Sequence, residues 1–284
     1  MSNWGKGVNN NIGWGQGANN DIGWGSIYDK SNAGETLLSS GGSDFDSDYQ
    51  AVLDFATSEG ITLPSASQQI LQNNVVLSLK DKGLWNKKDA FGLFATNGNV
   101  DFALICWKRL IKMDAINSPT FTINGGFDGN GSSSYIDTLF RPAIDGVNFL
   151  QDDAGVSVNT NFDDGDYILG TSSTANGNLR IRKKEDPDSQ INSDTFTASG
   201  VDFEVTGNIH VDRISSTEVT SRSSDGSVTN SSNSTGLTSN PIWLLRITSQ
   251  YSNGNMLSFS ARSSFTEQEK DDYDTIINTY LNSL

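Results

Sequence analysis

The first 25 residues place a tryptophan followed by glycine at ten-residue intervals, at Trp4, Trp14 and Trp24. Burial of one such ring stabilises by about 1.5–3 kcal/mol, but glycines supply no side chains to pack and lose much conformational entropy on ordering. A run of this kind cannot build a core of its own. Three ten-residue units are also too short for a free-standing stack of repeats. The segment therefore predicts contact with a partner surface.

Two interpretations of residues 1–38 stay open. They form either an anchor whose tryptophans enter sockets on a partner, or a flexible tail of low complexity. The fidelity of the repeat favours the anchor, because NIGWG at 11–15 returns as DIGWG at 21–25. The expected docking residues are Trp4, Gly5, Gly13, Trp14, Gly15, Gly23, Trp24 and Gly25.

The net charge of −15 argues against a nucleic-acid-binding surface, because neutralising phosphates requires clustered lysine and arginine. No apolar run approaches the roughly 20 residues of a membrane-spanning helix, so we expect no membrane insertion. The single cysteine, Cys106, excludes an intrachain disulfide. Its apolar neighbours in ALICW predict a buried side chain.

Short helices precede the main domain. After a linker at 39–47, residues 49–60 show a helical pattern that ends at Gly60, and residues 66–79 show a second one that Gly83 ends. We assign residues 39–84 to this linker and helical region and residues 85–284 to a β-sandwich domain with a C-terminal helix.

Three antiparallel hairpins are predicted in the main domain. They cover residues 91–107, with a turn at 97–99, residues 201–211, with a turn at Gly207–Asn208, and residues 242–261, with a turn at Asn253–Gly254. Serine, threonine, asparagine and glycine make up 20 of the 26 residues at 215–240, which favours edge strands and loops over core.

A terminal helix is predicted by a capping-box pattern at Thr266 and Glu269 and an apolar stripe after it. The stripe consists of Tyr273, Ile276, Ile277, Tyr280 and Leu281. The fold class is thus mainly β, an antiparallel sandwich with helices before and after it. Its expected core includes Trp107, Phe121, Phe203, Val205, Trp243, Leu245 and Phe259.

His210 is the only histidine, so any histidine-based zinc site or catalytic dyad would involve it. The alternation with Ile209 and Val211 places it on the opposite face of the strand, which we expect to be exposed. Asp212 and Ser215 lie near it in sequence, but no Gly-x-Ser-x-Gly nucleophile elbow accompanies them. We predict a surface histidine and no catalytic residue.

Cofactor signals are weak. Asp128 and Asn130 lie on a glycine-rich turn, but the bidentate glutamate of a calcium loop is absent. We expect no cofactor and no metal residues, with a single calcium ion as the open alternative. Glycoside hydrolysis needs two carboxylates roughly 5–9.5 Å apart. The E-x-D-x-x-E strand motif that would supply them in sandwich-type glucanases is absent from the sequence.

Several segments resemble a known family. They are NWGKG, GWGQG and GWGSIY near the N-terminus, LWNKKDAFGLFATNGNVDFALICWKR, NSPTFTINGGFDGNGSSSYIDTLFRP, and LSFSARSSFTEQEKDDYDTIINTYL. Together they cover most of the chain and resemble structural proteins of tailed phages that infect Bacteroidetes. The resemblance implies a concanavalin-like or laminin-G-like jelly roll, a fold found in fibres, appendages and carbohydrate-binding modules.

The resemblance further implies a virion protein that is made in the cytoplasm of the host bacterium. We expect a fibre or appendage subunit, on the head or the tail, that forms a homo-oligomer. Its residues 1–38 would dock to other virion proteins, and the jelly roll would serve host attachment, by binding a surface glycan, or decoration. Two alternatives stay open: a carbohydrate-active enzyme such as a glycan depolymerase, and a free carbohydrate-binding lectin. An enzyme would show a cleft with two close carboxylates, and a lectin would function without the repeats.

Overall fold

A computed structural model describes residues 45–160, 167–171, 177–182, 187–203 and 206–284. Phe45–Leu284 form one compact unit, which contains both the helices before residue 85 and the strands after it. Two antiparallel sheets face each other across an apolar core, and helices cover one of them from outside. The predicted mainly-β sandwich with preceding helices and a C-terminal helix is confirmed.

The described helices are α1 (Ser47–Ser58), α2 (Ala66–Asp81), α3 (Val100–Ala103), α4 (Pro142–Asp145) and α5 (Glu267–Leu281). The described strands are β1 (Lys88–Leu93), β2 (Ile105–Cys106), β3 (Ile111–Lys112), β4 (Asp114–Ile116), β5 (Thr120–Thr122), β6 (Gly126–Asp128), β7 (Tyr135–Asp137), β8 (Ala154–Thr160), β9 (Tyr167–Thr171), β10 (Asn178–Arg182), β11 (Asp188–Ser193), β12 (Thr197–Ala198), β13 (Gly207–Arg213), β14 (Glu218–Ser223), β15 (Gly226–Ser231), β16 (Ile242–Leu244), β17 (Arg246–Ile247), β18 (Gln250–Tyr251), β19 (Asn255–Met256) and β20 (Ser258–Arg262).

The sandwich consists of a six-stranded sheet and a seven-stranded sheet. The six-stranded sheet has the order β1-β20-β8-β13-β14-β15, and the seven-stranded sheet has the order β12-β11-β10-β9-β16-β7-β4. Val156 and Val211 of the first sheet and Leu169 and Leu244 of the second are among the side chains of the core between them. Alternation along each strand therefore leaves one outer face per sheet to be covered or exposed.

Helices α1, α2 and α5 cover the outer face of the six-stranded sheet. They build a second apolar cluster, in which Tyr49, Val76 and Ile277 pack with Phe91 of β1. Strands β1, β20, β8 and β13 of this sheet are consequently buried on both faces, whereas the seven-stranded sheet is covered on its inner face. The burial of Trp107 is confirmed, but it packs in this helix-side cluster.

The helix ends follow local rules. Asp46, Ser65 and Thr266 cap the N-termini of α1, α2 and α5, and Thr266 with Glu269 forms the predicted capping box. Gly60 and Gly83, just past α1 and α2, adopt the left-handed backbone that ends many helices. No helix in the described ranges is long and apolar enough to span a membrane.

The first two predicted hairpins are wrong. In residues 91–107, β1 pairs with β20 instead of a neighbour, and the side chain of Asn99 caps helix α3 where the turn was expected. At the second, Gly207 and Asn208 belong to β13 and pair with β8. In both cases a partner distant in sequence overrides the local turn signal.

The third hairpin prediction is also wrong. Residues 242–251 do not form one strand, because Leu245 adopts a left-handed backbone that interrupts it after β16. The chain then folds on itself as the short pair β17–β18, and β20 pairs with β1 and β8. This short pair forms one wall of the groove described below.

Most of the predicted core is confirmed. Phe203, Leu245 and Phe259 are buried, Phe121 is partly buried against the core, and Cys106 is buried as expected. Val205 lies outside the described residues. Trp243 is the exception, because its neighbours on β16 point into the core and alternation turns its ring to the outer face.

The polar region at 215–240 forms the expected edge. Strands β14 and β15 occupy it, and β15 is the edge strand of the six-stranded sheet. Val219 is buried, but most side chains of β15 are exposed or half-buried.

Candidate functional site

The predicted docking residues, from Trp4 to Gly25, lie outside the residues that the structure describes. The structure therefore neither brings them together nor separates them, and the anchor stays a prediction. The other sequence-based candidates, His210 and the Asp128–Asn130 turn, are described.

The prediction that His210 is exposed is wrong: the side chain is fully buried. Helix α5 packs over this part of the six-stranded sheet and covers the face to which the strand alternation directs His210. Nδ1 of His210 lies 2.8 Å from Oγ of Ser157 on β8, and its Nε2 lies 2.7 Å from Oδ1 of Asp274 on α5. The structure thus forms a Ser-His-Asp arrangement from residues distant in sequence, without Asp212 or Ser215.

The hydrogen bonds indicate which ring nitrogen of His210 carries the proton. Arg262 donates from Nη2 to Oγ of Ser157 at 2.7 Å, so the serine's own proton is directed to Nδ1 of His210. The remaining ring proton then lies on Nε2 and is donated to Asp274. Burial lowers the pKa of His210, against the opposing effect of the bond to Asp274. The network therefore holds a neutral imidazole.

Acyl transfer needs a nucleophile that a substrate can reach and a base that accepts its proton. Ser157 and His210 both have no exposed surface, so a substrate cannot reach either of them. Their hydrogen bonds instead link strands β8 and β13 to helix α5.

A buried ion pair adjoins this network. Arg262 donates to Oδ1 of Asp212, and Lys270 of α5 lies 3.3 Å from Oδ2 of the same carboxylate. Burial would raise the pKa of Asp212, but the positive charges of Arg262 and Lys270 outweigh that effect and hold it below its usual range. Gly155 lies directly beneath, since a Cβ there would be 2.0 Å from Nη1 of Arg262.

Two side-chain oxygens of the glycine-rich turn already accept hydrogen bonds within the protein. Oδ1 of Asn130 accepts from the backbone N–H groups of Ser132, Ser133 and Ser134 at 2.8–3.0 Å. Oδ1 of Asp128 accepts from Nδ2 of Asn255 at 3.0 Å. Within the described ranges, no group of three acidic, histidine or cysteine side chains is placed to hold a metal ion.

The outer face of the seven-stranded sheet carries a continuous polar and aromatic row. Cross-strand pairing aligns Gln190, Arg180, Gly170, Trp243, Asp137 and Asp114 on six successive strands from β11 to β4. Ile247 of the β17–β18 pair packs over Gly170, where a Cβ would lie 2.6 Å from its Cγ1. The β17–β18 pair thus crosses this face and divides it into two parts.

One part is an aromatic cluster that the chain fills itself. The guanidinium of Arg246 lies 4.0 Å from the ring centre of Trp243, 4.4 Å from that of Tyr135 and 5.0 Å from that of Tyr251. Nε1 of Trp243 donates to Asp137 at 3.0 Å. Because Arg246 occupies the space between the rings, this cluster presents no empty aromatic surface there.

The other part is a groove of about 360 Å³, within the range of small-molecule sites. It is lined by Thr171, Asn178, Leu179, Arg180, Gln190, Asp194, Phe196, Ile247, Thr248 and Gln250. Strands β9, β10 and β11 form its floor, and the β17–β18 pair forms one wall. We refer to it as the outer groove.

Two residues at the outer groove carry a buried polar atom without a partner. The side chains of Thr171 and Asn178 are 2% and 7% exposed, and Oγ1 of Thr171 and Oδ1 of Asn178 form no hydrogen bond among the described residues. Thr171 pairs with Ile242, whose side chain lies in the core, so the strand alternation turns the hydroxyl of Thr171 inward and away from the groove.

An exposed aromatic ring stands at the same groove. Phe196, between β11 and β12, is 58% exposed, and the guanidinium of Arg180 stacks on it 3.7 Å from the ring centre. A single exposed apolar side chain needs no explanation on its own. Here, however, the arginine fixes one face of the ring and leaves the other available for a flat ligand. The groove combines a stacking surface with the accessible polar side chains of Asp194, Thr248 and Gln250.

No family model and no curated protein matches this chain. Among solved structures it is similar to domain 4 of AbnA, a GH43 extracellular arabinanase from Geobacillus stearothermophilus, in complex with arabinotriose. That likeness has a TM-score of 0.40 and 12% identity and covers 66% of this chain and 98% of the domain. It is also similar to Trypanosoma rangeli sialidase in complex with sialic acid, with a TM-score of 0.39 and 12% identity over 74% of this chain and 38% of the sialidase.

A third similar structure is the binding domain of Paraclostridial Mosquitocidal Protein 1, with a TM-score of 0.37, 10% identity, and coverage of 67% of this chain and 51% of that domain. The chain thus spans well under half of the sialidase and about half of the toxin domain. At these TM-scores the likenesses carry no argument about what this chain binds.

Sequence reasoning missed every residue of the outer groove. Phe196 stands alone in a polar stretch, and Thr171 and Asn178 are ordinary strand residues in a sequence rich in threonine and asparagine. The signal that could have drawn attention to the region is Phe196 itself, a large apolar residue in the otherwise polar segment 192–199.

Proposed function

We propose that this protein is a non-catalytic glycan-recognition module that its N-terminal tryptophan repeats attach to a phage virion. The observation that carries the proposal is the outer groove, where the exposed ring of Phe196 stands beside the accessible polar side chains of Asp194, Thr248 and Gln250. A sugar ring fits both features. Its C–H groups pack on an aromatic face, and its hydroxyl groups both donate and accept hydrogen bonds.

Non-catalysis is part of the proposal. Most glycoside hydrolases use a pair of carboxylates that flank the scissile bond. Among the described residues that line the outer groove, Asp194 supplies one carboxylate and no second one accompanies it. The enclosed state of Ser157 and His210 supports the same view, since a substrate has no route to Oγ.

The binding proposal is tested with the full chain on an array of immobilised oligosaccharides, followed by calorimetric titration of the tightest-binding one. Phe196→Ala should weaken binding at least about tenfold, because it removes the stacking surface. Ile123→Ala is the matched control, since Ile123 is also a large exposed apolar side chain but lies outside the groove. Equal binding by Phe196→Ala and the wild type would reject the groove as the site, and release of shorter sugars would reject non-catalysis.

The attachment proposal rests on the tryptophan repeat and on the family resemblance of the sequence. Replacing Trp4, Trp14 and Trp24 together by alanine should abolish incorporation into virions while leaving glycan binding unchanged. A single replacement should cost less, because the other two rings keep the chain bound. Normal incorporation of the triple variant would favour a free lectin over an anchored subunit.

A further inference from the structure

The outward side of the helix layer carries a surface without charge. Residues 66–79, in α2, and residues 275–284, which include the last turns of α5, contain no charged side chain, although the chain has 19 basic and 34 acidic residues. Ile70 and Leu77 of α2 are 42% and 46% exposed. Depletion of charged residues is typical of the centre of a protein–protein interface. We refer to the exposed side chains of these two segments as the uncharged helix face.

A groove of about 250 Å³ lies between α2 and α5 on this face. None of the nine described residues that line it is charged. Ile276 belongs to the apolar stripe of α5, but it lines this groove and is only partly buried, as is Leu71 of α2. The groove therefore extends the apolar part of the uncharged helix face from one helix to the next.

The exposed side of α2 is symmetric about Asn74. Ile70 precedes Asn74 by about one turn, Leu77 follows it by about one turn, and all three side chains are exposed. When two copies of α2 cross antiparallel at Asn74, Ile70 of each copy meets Leu77 of the other, and the two Asn74 amides meet at the twofold axis. A side-chain amide both donates and accepts hydrogen bonds, so the two amides satisfy each other.

The charges at the ends of α2 favour this antiparallel orientation. Asp81 lies two turns after Asn74 on the same side of the helix and is exposed, and its neighbours Lys80 and Lys82 are paired with other carboxylates. The first turn of α2 contains no acidic residue. In an antiparallel pair, Asp81 lies beside the N-terminus of the other helix, whose partial positive charge attracts a carboxylate. In a parallel pair, the two copies of Asp81 would face and repel each other.

We propose that two copies of this chain associate through the uncharged helix face, with their α2 helices antiparallel and crossing at Asn74. The inference does not rest on the proposed function, because the helices and the outer groove lie on opposite faces of the sandwich. Association leaves both outer grooves open. It also joins two binding sites in one particle, which raises the apparent affinity for a glycan that repeats the recognised sugar.

The first test is the oligomeric state of the full chain, measured by sedimentation velocity between about 1 and about 100 µM. The wild type should dimerise in this range. Leu77→Glu should weaken dimerisation at least about tenfold, because it brings two carboxylates into the uncharged centre of the interface. Ile144→Glu is the matched control, since Ile144 is also an exposed aliphatic side chain on a helix but lies outside the face. A monomeric wild type, or equal association of the two variants, would overturn the inference.

Disulfide formation tests the orientation of the pair. Asn74→Cys should link two chains under oxidation, because the twofold axis brings this position of both copies together, and the native thiol of Cys106 is buried. Ser67→Cys should stay unlinked, because the antiparallel arrangement places its two copies about 21 Å apart along the helix axis. Linkage in both variants would indicate a parallel pair, and linkage in neither would indicate a different interface. Each of these two results would overturn the inference.

The tryptophan repeats are the competing cause of self-association. Replacing Trp4, Trp14 and Trp24 together by alanine should leave both the dimer and the disulfide of Asn74→Cys intact. A monomeric triple variant would overturn the inference, because the repeats would then hold the copies together. Leu77→Glu should bind a monovalent oligosaccharide as tightly as the wild type does, so the outcome for dimerisation is separate from the outcome for the outer groove.

Discussion

The outer faces of the two sheets both carry charged and polar side chains, but the rest of the chain covers the two faces to different extents. On the six-stranded sheet, helix α5 closes over Asp212, Arg262 and His210 and removes them from water. On the seven-stranded sheet, the β17–β18 pair covers only a part of the face and leaves the outer groove beside it. Both outer faces carry polar side chains, but a long helix covers those of the six-stranded sheet and only a short strand pair crosses those of the seven-stranded sheet.

The two faces differ in their access to solvent, and not in whether every buried polar atom has a hydrogen-bond partner. Oη of Tyr273 and Nε of Arg262 also lack hydrogen-bond partners in the described structure, yet they lie enclosed beneath α5. The unpartnered oxygens of Thr171 and Asn178 are also buried, and what opens the second face is the exposed ring of Phe196 with the groove beside it. Unsatisfied atoms thus indicate a binding site only where a route from solvent reaches them.

The largest expected effect concerns the closed face. Asp212→Asn should lower the free energy of unfolding by about 3–5 kcal/mol, because it leaves Arg262 as a buried cation without a counter-charge and leaves Lys270 with Glu267 as its one acidic partner among the described residues. Denaturant unfolding followed by circular dichroism measures the loss. If the variant does not fold, the double variant Asp212→Asn with Arg262→Met should recover part of the stability. A stability equal to that of the wild type would mean that this face is open to water.

A smaller loss is expected for Gly155→Ala. The added methyl group would lie 2.0 Å from Arg262 and 2.3 Å from Asp212, so the buried pair must move. Overpacking of this kind costs about 1–3 kcal/mol. Gly155 does not adopt a left-handed backbone, so the loss reports the clash and not backbone strain. A variant as stable as the wild type would contradict the account.

The seven-stranded sheet should behave in the opposite way. Thr171→Val removes an unpartnered buried hydroxyl with little change in volume, so it should raise the unfolding free energy by about 1 kcal/mol, and it should leave glycan binding unchanged because the hydroxyl faces the core. Thermal unfolding and calorimetric titration on the same preparation measure both effects. A destabilised variant would indicate that the hydroxyl has a structural partner, and the comparison of the faces would then lose its basis.

The smallest effect is a pH dependence of stability. Because burial lowers the pKa of His210 below its ordinary value of 6.5, the unfolded chain takes up a proton first as the pH falls. The stability that the lowered pKa of His210 provides is fully present above about pH 6.5. It is lost as the pH falls towards the pKa of His210 in the folded protein. His210 is the only histidine, so the window from about pH 6.5 to 5.5 reports on it.

His210→Gln should therefore flatten the dependence of unfolding free energy on pH within this window. Below about pH 4, the lowered pKa of Asp212 should still reduce the stability of both proteins on acidification. An identical slope in wild type and variant between pH 6.5 and 5.5 would show that His210 is exposed after all.

Neither the buried cluster around His210 nor the outer groove could be predicted from the sequence. His210 was correctly recognised as the residue through which any triad must run, and alternation correctly placed it opposite Ile209 and Val211. The error concerned exposure, because a strand pattern says which face a residue occupies and not whether a helix 60 residues away covers that face. The outer groove depends on the β17–β18 pair crossing β9, which no local pattern indicates.

The sequence by itself determined the features that rest on contacts within one turn or one strand. These include helices α1, α2 and α5 with their caps, the polar edge at 215–240 and the burial of Cys106. The tertiary structure decided the pairing of β1 with β20, the enclosure of His210 and the outward direction of Trp243. Caps and alternation depend on neighbours a few residues away, so the sequence displays them directly. Strand pairing and the covering of a face depend on segments that meet only when the whole chain has folded, and the outer groove is a product of such a meeting.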